Sequence, residues 1–274
     1  MTTTDIFFAR LAFENAVLIT VHATRGSVPR EKGTWMAVFS QDAVGTIGGG
    51  HLEFSATAQA RERLRGNDVE PVLRYALGPA LGQCCGGEVH LCFESVQAAD
   101  IASLQVRLAV ARYPVALFGG GHVGQALVRV LGDLPVQLTW VDSRDEIFPA
   151  DVPSNVTCEH SNPVHAAVVS LAPGCRVLIM SFSHAEDLDV VAACLARQRA
   201  YSDLPYVGLI GSRTKWATFR HRLEARGFTP QELDHITCPI GVVGIPGKEP
   251  EVIAVAVAAQ ILQTCGQSCQ HEEG

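Results

Sequence analysis

One stretch constrains this chain more than any other. Val115–Phe118 is apolar, Gly119-Gly120-Gly121-His122-Val123-Gly124 follows at once, a helical pattern continues through Leu131, and a second apolar segment, Val136–Val141, ends at Asp142. A bare G-x-G-x-x-G carries little information. This one follows a strand pattern, opens a helix and has an acidic residue 23 positions after Gly119, which is the dinucleotide-binding βαβ arrangement.

The pattern continues downstream. Strands are expected at Arg176–Phe182, Tyr206–Ile210 and Ile236–Pro239, alternating with helices at Asp187–Arg199, Lys215–Arg226 and Pro250–Gln263. Strand-helix alternation of this kind builds a parallel, doubly wound sheet with its ligand crevice at the carboxyl ends of the strands. Upstream the pattern differs. Ala16–His22 and Thr34–Phe39 are rich in β-formers, Leu52–Arg65 has helical periodicity with Glu62 and Arg65 three apart, and Glu88–Glu94 alternates like a strand. The fold class is therefore α/β: a small N-terminal α+β domain followed by a Rossmann-like doubly wound parallel-sheet domain. Residues 1–97 form the first, 98–113 a helical linker closed by Tyr113-Pro114, 114–264 the second, and 265–274 a polar tail. A length of 274 residues suits about two domains, each with its own core.

Charge limits the partners. A net charge of -7, with Lys32, Lys215 and Lys248 as the lysines, argues against nucleic acid or an anionic membrane, both of which need a basic face. No apolar run approaches the ~18 residues of a membrane span, and Met1–Asp5 lacks a basic signal-peptide start, so a cytoplasmic protein is expected. The nine cysteines are odd in number and scattered through apolar segments. That favours reduced thiols, with Cys175 and Cys194 as small core residues. Zinc spacing is absent: there is no C-x-x-C, and His90 and Cys92 have no second cluster to join.

Several loops carry candidate ligand contacts. Gly45-Thr46-Ile47-Gly48-Gly49-Gly50-His51-Leu52-Glu53 is a second glycine-rich strand-to-helix turn, without the Gly-Lys-Ser/Thr ending of a P-loop. Its glycines allow close approach to the backbone, with His51 and Glu53 just beyond. On spacing alone Glu53 is a first-turn residue favoured by the helix dipole. Arg25, Arg30 and Lys32 give this half its own anion-binding candidates, or simply a solvated turn. In the second half, His184 follows one strand end, Arg213 another, and Lys248 precedes the last helix. At such places helix-start amides and side-chain cations attract phosphate, although Gly211 and Gly247 equally suit tight turns, and His184 equally suits a plain helix start after Ser183. Finally, Leu81-Gly82-Gln83-Cys84-Cys85-Gly86-Gly87 flanks two adjacent sulfurs with glycines that strip steric cover from them, which points to chemistry or ligand capture.

Taken together, Ser27-Val28-Pro29-Arg30, Gly45–Glu53, Leu77-Gly78-Pro79 through Gly87, and Gly119–Gly124 with Asp142 resemble the xanthine dehydrogenase accessory protein family, XdhC/CoxI, over nearly the whole chain. The resemblance implies a non-enzymatic chaperone. It binds molybdenum cofactor in its molybdopterin form, protects it, presents it for sulfuration by a cysteine desulfurase, and inserts it into xanthine dehydrogenase or a related molybdenum hydroxylase. It also implies a homodimer. Such a cargo has a phosphate, a donor-rich pterin edge and a soft metal-dithiolene centre, which call for amides, a carboxylate and a thiolate. Cys85 is the first candidate for a contact to molybdenum or its exchangeable sulfur, and Cys84 the second. The cofactor-binding set then comprises these two with Arg30, Gly49, Gly50, His51, Glu53, Gly119, Gly121, Gly124, Asp142, His184, Arg213 and Lys248. Many relatives have cysteine where His51 stands, so a sulfur role there is closed to this chain.

Two other classes compete. An NAD(P)-dependent oxidoreductase fits Gly119–Gly124 and Asp142, but no tyrosine has a lysine four residues later, and His184 is left as the base. A nucleotide- or redox-sensing regulator would use Cys84 and Cys85 as a thiol switch, through the strained bridge that adjacent cysteines form.

Overall fold

The computed structural model describes residues 2–67, 70–77, 86–109 and 112–266. The chain divides into two compact units, Met1–Ala109 and Val110–Gly274. In the first, elements run α1 (Thr3–Leu11), β1 (Ala16–Arg25), β2 (Trp35–Val38), β3 (Ala43–Gly45), α2 (Gly50–Leu64), β4 (Val72–Ala76), β5 (Glu88–Val96) and α3 (Ile101–Arg107). The strands form an antiparallel sheet in the order β3-β2-β1-β5-β4. Both faces are covered, which explains the unbroken apolar run at the start of β1. Val17, Ile19 and Val21 pack with Leu52 and Ala56 of α2, while Leu18 points the other way into Phe7 and Leu11 of α1. Leu104 and Leu108, from the stretch that reads as linker, are buried in that second cluster.

The second unit contains β6 (Tyr113–Phe118), α4 (His122–Leu131), β7 (Val136–Asp142), β8 (Val156–His160), β9 (Arg176–Ile179), α5 (His184–Tyr201), β10 (Tyr206–Leu209), α6 (Arg213–Ala225), α7 (Pro230–Leu233), β11 (Ile236–Thr237) and α8 (Pro250–Gly266). Its six strands are parallel in the order β11-β10-β9-β6-β7-β8. Counted from the first strand of the unit this is 3-2-1-4-5-6, the doubly wound order, and it reverses between β6 and β9. Val115 and Leu117 pack toward α4 and α8. Ala116 and Phe118 pack toward α5, with Cys175 and Cys194 buried in the same layer. Burial pushes both of those thiols upward, Cys175 to about 12. Among the described residues, no helix is long and apolar enough to cross a membrane.

Candidate functional site

Three segments that are far apart in sequence meet at one end of the first unit. Residues 25–30 leave β1, residues 45–53 carry the chain from β3 into α2, and Gly86-Gly87 lead into β5. Gly87 lies so close to the first segment that a Cβ there would collide with the carbonyl oxygens of Ser27 and Arg25. A Cβ on Gly48 would fall 2.6 Å from Cγ of Pro29. Close approach therefore needs glycine at both positions.

Glu53 organises the loop between β3 and α2. Its Oε1 accepts hydrogen bonds from the backbone N–H groups of Gly49 at 2.8 Å, Ile47 at 2.9 Å and Gly48 at 3.2 Å, and from the Thr46 hydroxyl. Successive amides converging on one point form an anion-binding nest. Here the chain's own carboxylate sits in it. Burial alone would raise the Glu53 pKa, but the bonds from Thr46, Gly49, Ile47 and Gly48 outweigh it and hold the group below the ordinary carboxylate range. Beside this loop Arg30 is exposed, its Cγ 3.7 Å from where a Cβ on Gly48 would lie, and His51 is exposed beside Phe54, with ring centroids 6.1 Å apart. The structure thus brings Arg30, Gly49, Gly50, His51 and Glu53 into one corner. Cys84 and Cys85 lie outside the described residues.

The second constellation lies at the reversal of strand order in the other unit. Gly119 ends β6 with φ of +123°, and a side chain there would strike the carbonyl oxygen of Met180 beyond β9. Gly124 packs its Cα face against the carbonyl of Gly119, which seats α4 tightly on the strand. Gly121 precedes α4 with open space where a side chain would be. Asp142, at the end of β7, is 1% exposed. Its Oδ2 accepts from the Gly120 N–H at 2.6 Å and from Arg144 Nη2 at 2.9 Å. Its Oδ1 accepts from Arg144 Nε at 2.8 Å and from the Arg144 N–H at 3.0 Å. Burial raises its pKa, and the Arg144 and Gly120 bonds more than reverse that, so the group stays below its usual value.

The neighbouring loop, after β9, is tied by two acids from the first turn of α5. Glu186 accepts from Ser143 Oγ at 2.7 Å and from the Phe182 N–H at 3.1 Å. Asp187 accepts from the Ser181 N–H at 2.7 Å and from Lys215 Nζ at 2.6 Å, and Lys215 also donates to the Ile210 carbonyl at 2.8 Å. Sequence reasoning passed over Arg144, Glu186, Asp187 and this use of Lys215. The readable signal was an acidic pair just after the strand-end serines. His184 begins α5 and is exposed, its ring edge-on to Phe219 of α6 at 6.4 Å. Arg213 begins α6 after β10, and Lys248 belongs to the exposed loop before α8. A cavity of about 400 Å³ lies beside the crevice, lined by Gln125, Val128, Trp140, Ile147 and Phe148, and it contains none of the expected site residues. Among the described residues, no group of three or more His, Cys, Asp or Glu side chains is placed to hold a metal ion.

Residues 115–261 match the XdhC Rossmann domain, and residues 9–76 match the XdhC and CoxI family. The uncharacterized protein YqeB of Escherichia coli strain K12 is 26% identical over 246 residues, which cover 88% of this chain and 42% of that protein. The chain thus spans well under half the length of that relative. In three dimensions it is similar to the crystal structure of a xanthine dehydrogenase from Bacillus halodurans, with a TM-score of 0.76, 18% identity, and coverage of 97% of this chain and 96% of the other. At that identity the likeness shows a common fold across both units.

Proposed function

This chain belongs to the XdhC and CoxI family, and we propose that it is a maturation factor for xanthine dehydrogenase or a related molybdenum hydroxylase, with molybdenum cofactor as its cargo. The observation that supports this reading most is the meeting of residues 25–30, 45–53 and 86–87 at one end of the first unit. Segments with little in common as sequence are held there by glycine contacts that leave Arg30 and His51 on the surface.

The donor set suits a phosphorylated pterin. The amides of residues 47–49 are held by Glu53, so the cargo's phosphate falls to the side chain of Arg30, which binds it as an exposed cation. His51 offers a ring nitrogen and a flat face beside Phe54. When bound, the cargo itself supplies the soft metal-dithiolene centre, and a thiolate is the protein ligand matched to it. Cys85, with Cys84 as the alternative, is proposed for that contact, immediately before the Gly86-Gly87 pair. In this reading the protein is a cytoplasmic homodimer and a carrier, not an enzyme. It presents the cargo to a cysteine desulfurase before handing it to the client.

Anaerobic purification from a cofactor-replete host, followed by assay for molybdenum and for the fluorescent oxidation product of the pterin, tests the proposal. Pterin in the wild type and less in Cys85→Ala and Arg30→Ala is the expected result. No pterin in the wild type, under conditions where a known carrier retains it, overturns it.

A further inference from the structure

The doubly wound unit has every backbone feature of a dinucleotide site, yet the residue that decides how such a site holds its ligand is closed. We propose that Arg144 is a specificity-determining lock: it saturates Asp142 and so makes the crevice reject the ribose diol of a dinucleotide.

A carboxylate offers about four lone-pair sites. Those of Asp142 receive four donors: the Gly120 N–H and Arg144 Nη2 on Oδ2, and the Arg144 N–H and Nε on Oδ1. In the dinucleotide mode, the acid at the end of this strand accepts from the ribose hydroxyls. Here a diol would have to displace a charge-assisted, two-pronged guanidinium bond, the strongest class of side-chain hydrogen bond.

The lock is braced from a second side. The Arg144 guanidinium lies over the exposed ring of Phe182, 4.5 Å from its centroid. Glu186 takes the Ser143 hydroxyl and the Phe182 N–H, which stitches the turn after β7 to the turn after β9. Swinging Arg144 away from Asp142 therefore breaks contacts on both loops. Ile147 adds a further closure, lying where a Cβ on Gly120 would be. This inference does not depend on the cargo proposed above, because its test uses nucleotides alone.

Titration calorimetry of the full chain with NAD+ and with its analogue lacking the adenosine 2′-hydroxyl reads the lock directly. In the wild type the two ligands should bind within about twofold of each other, or both fail to bind. In Arg144→Ala the carboxylate is released, and NAD+ should bind about tenfold tighter than the analogue, the fold-change that one net hydrogen bond supplies. Asp142→Asn in that background should reduce the preference. Arg144→Lys, which cannot make the two-pronged contact but keeps the charge, should give an intermediate preference and serves if the alanine variant does not fold. A wild-type preference for the hydroxyl of tenfold or more overturns the proposal. So does the lack of any preference, or of any binding, in folded Arg144→Ala.

Discussion

Oε1 of Glu53 accepts the N–H of Gly49 at 2.8 Å, so the first turn of α2 closes the glycine-rich loop that leads into it. Asp142 does the same to the other glycine turn through the N–H of Gly120 at 2.6 Å. Each glycine-rich turn is thus held by a carboxylate of the chain itself. An amide nest that is already satisfied keeps its shape without a ligand. A ligand that approaches it must then be recognised by the surrounding side chains.

Replacement of Glu53 should loosen the corner that it holds. Hydrogen bonds to a charged group contribute about 1.5–3 kcal/mol, and amides left unpaired add a penalty. Glu53→Gln keeps one acceptor oxygen and should lower stability by about 1 kcal/mol, and Glu53→Ala by about 2–3 kcal/mol. Urea unfolding followed by circular dichroism reads both values. An alanine variant as stable as the wild type would remove Glu53 from this role.

Acid should weaken both turns. The folded pKa values of Glu53 and Asp142 lie below their ordinary values. Depressed carboxylates contribute stability that is fully present above the unfolded pKa, about 4, and is lost as pH falls through the folded value. The melting temperature should therefore be insensitive to these two groups from pH 6 to 8, and should fall below about pH 4. The double variant Glu53→Gln, Asp142→Asn should start lower and show a shallower acid limb. An acid limb as steep as that of the wild type would assign the acid sensitivity to other groups.

Gly124→Ala tests how α4 sits on β6. The added methyl meets the Gly119 carbonyl, a backbone atom that cannot rotate aside, so helix and strand must separate. Overpacking of this kind costs about 1–3 kcal/mol. Gly121→Ala, one turn earlier, meets no atom within 4 Å and should leave the melting temperature nearly unchanged. Equal melting temperatures for the two variants would mean that α4 does not rest on Gly119 as described.

What the sequence revealed depended on whether a residue's partner was near it in the chain. The βαβ unit was legible because strand, glycine turn, helix and Asp142 follow one another, and observed bounds such as Val136–Asp142 and His122–Leu131 fall close to the expected ones. The helix Thr3–Leu11 was passed over, although Thr2 and Asp5 form a capping box that the spacing alone could suggest. Edge strands were harder. Val156–His160 is exposed over most of its length, and Val72–Ala76 borders the sheet with alternating partial burial, so neither needs the apolar pattern that marks an inner strand. For the site, Arg30, Gly49, His51 and Glu53 could be named from motifs. The occupancy of the nest by Glu53 could not be, since it depends on the loop's path. Arg144 was missed because an arginine two residues after a strand end reads as solvated until its guanidinium is seen on a buried carboxylate.

The Asp187–Lys215 pair ties the loop after β9 to the start of α6, and its two members should be unequal in consequence when lost singly or together. Asp187 is buried, and the Lys215 side chain is 12% exposed. Removing one partner of a buried pair leaves an uncompensated charge and costs about 3–5 kcal/mol, whereas replacing both with apolar residues of similar size is often neutral. Asp187→Leu also strips the acceptor from the Ser181 N–H, so it should be the most damaging single change. Lys215→Met loses the bond to the Ile210 carbonyl as well, but leaves a carboxylate still bonded to that amide, and should cost less. The double variant should be more stable than Asp187→Leu alone, giving a coupling energy of about 1–3 kcal/mol in a double-mutant cycle. Additive losses in that cycle would show that the two side chains act independently, and that Asp187 holds the loop after β9 through the Ser181 N–H without help from Lys215.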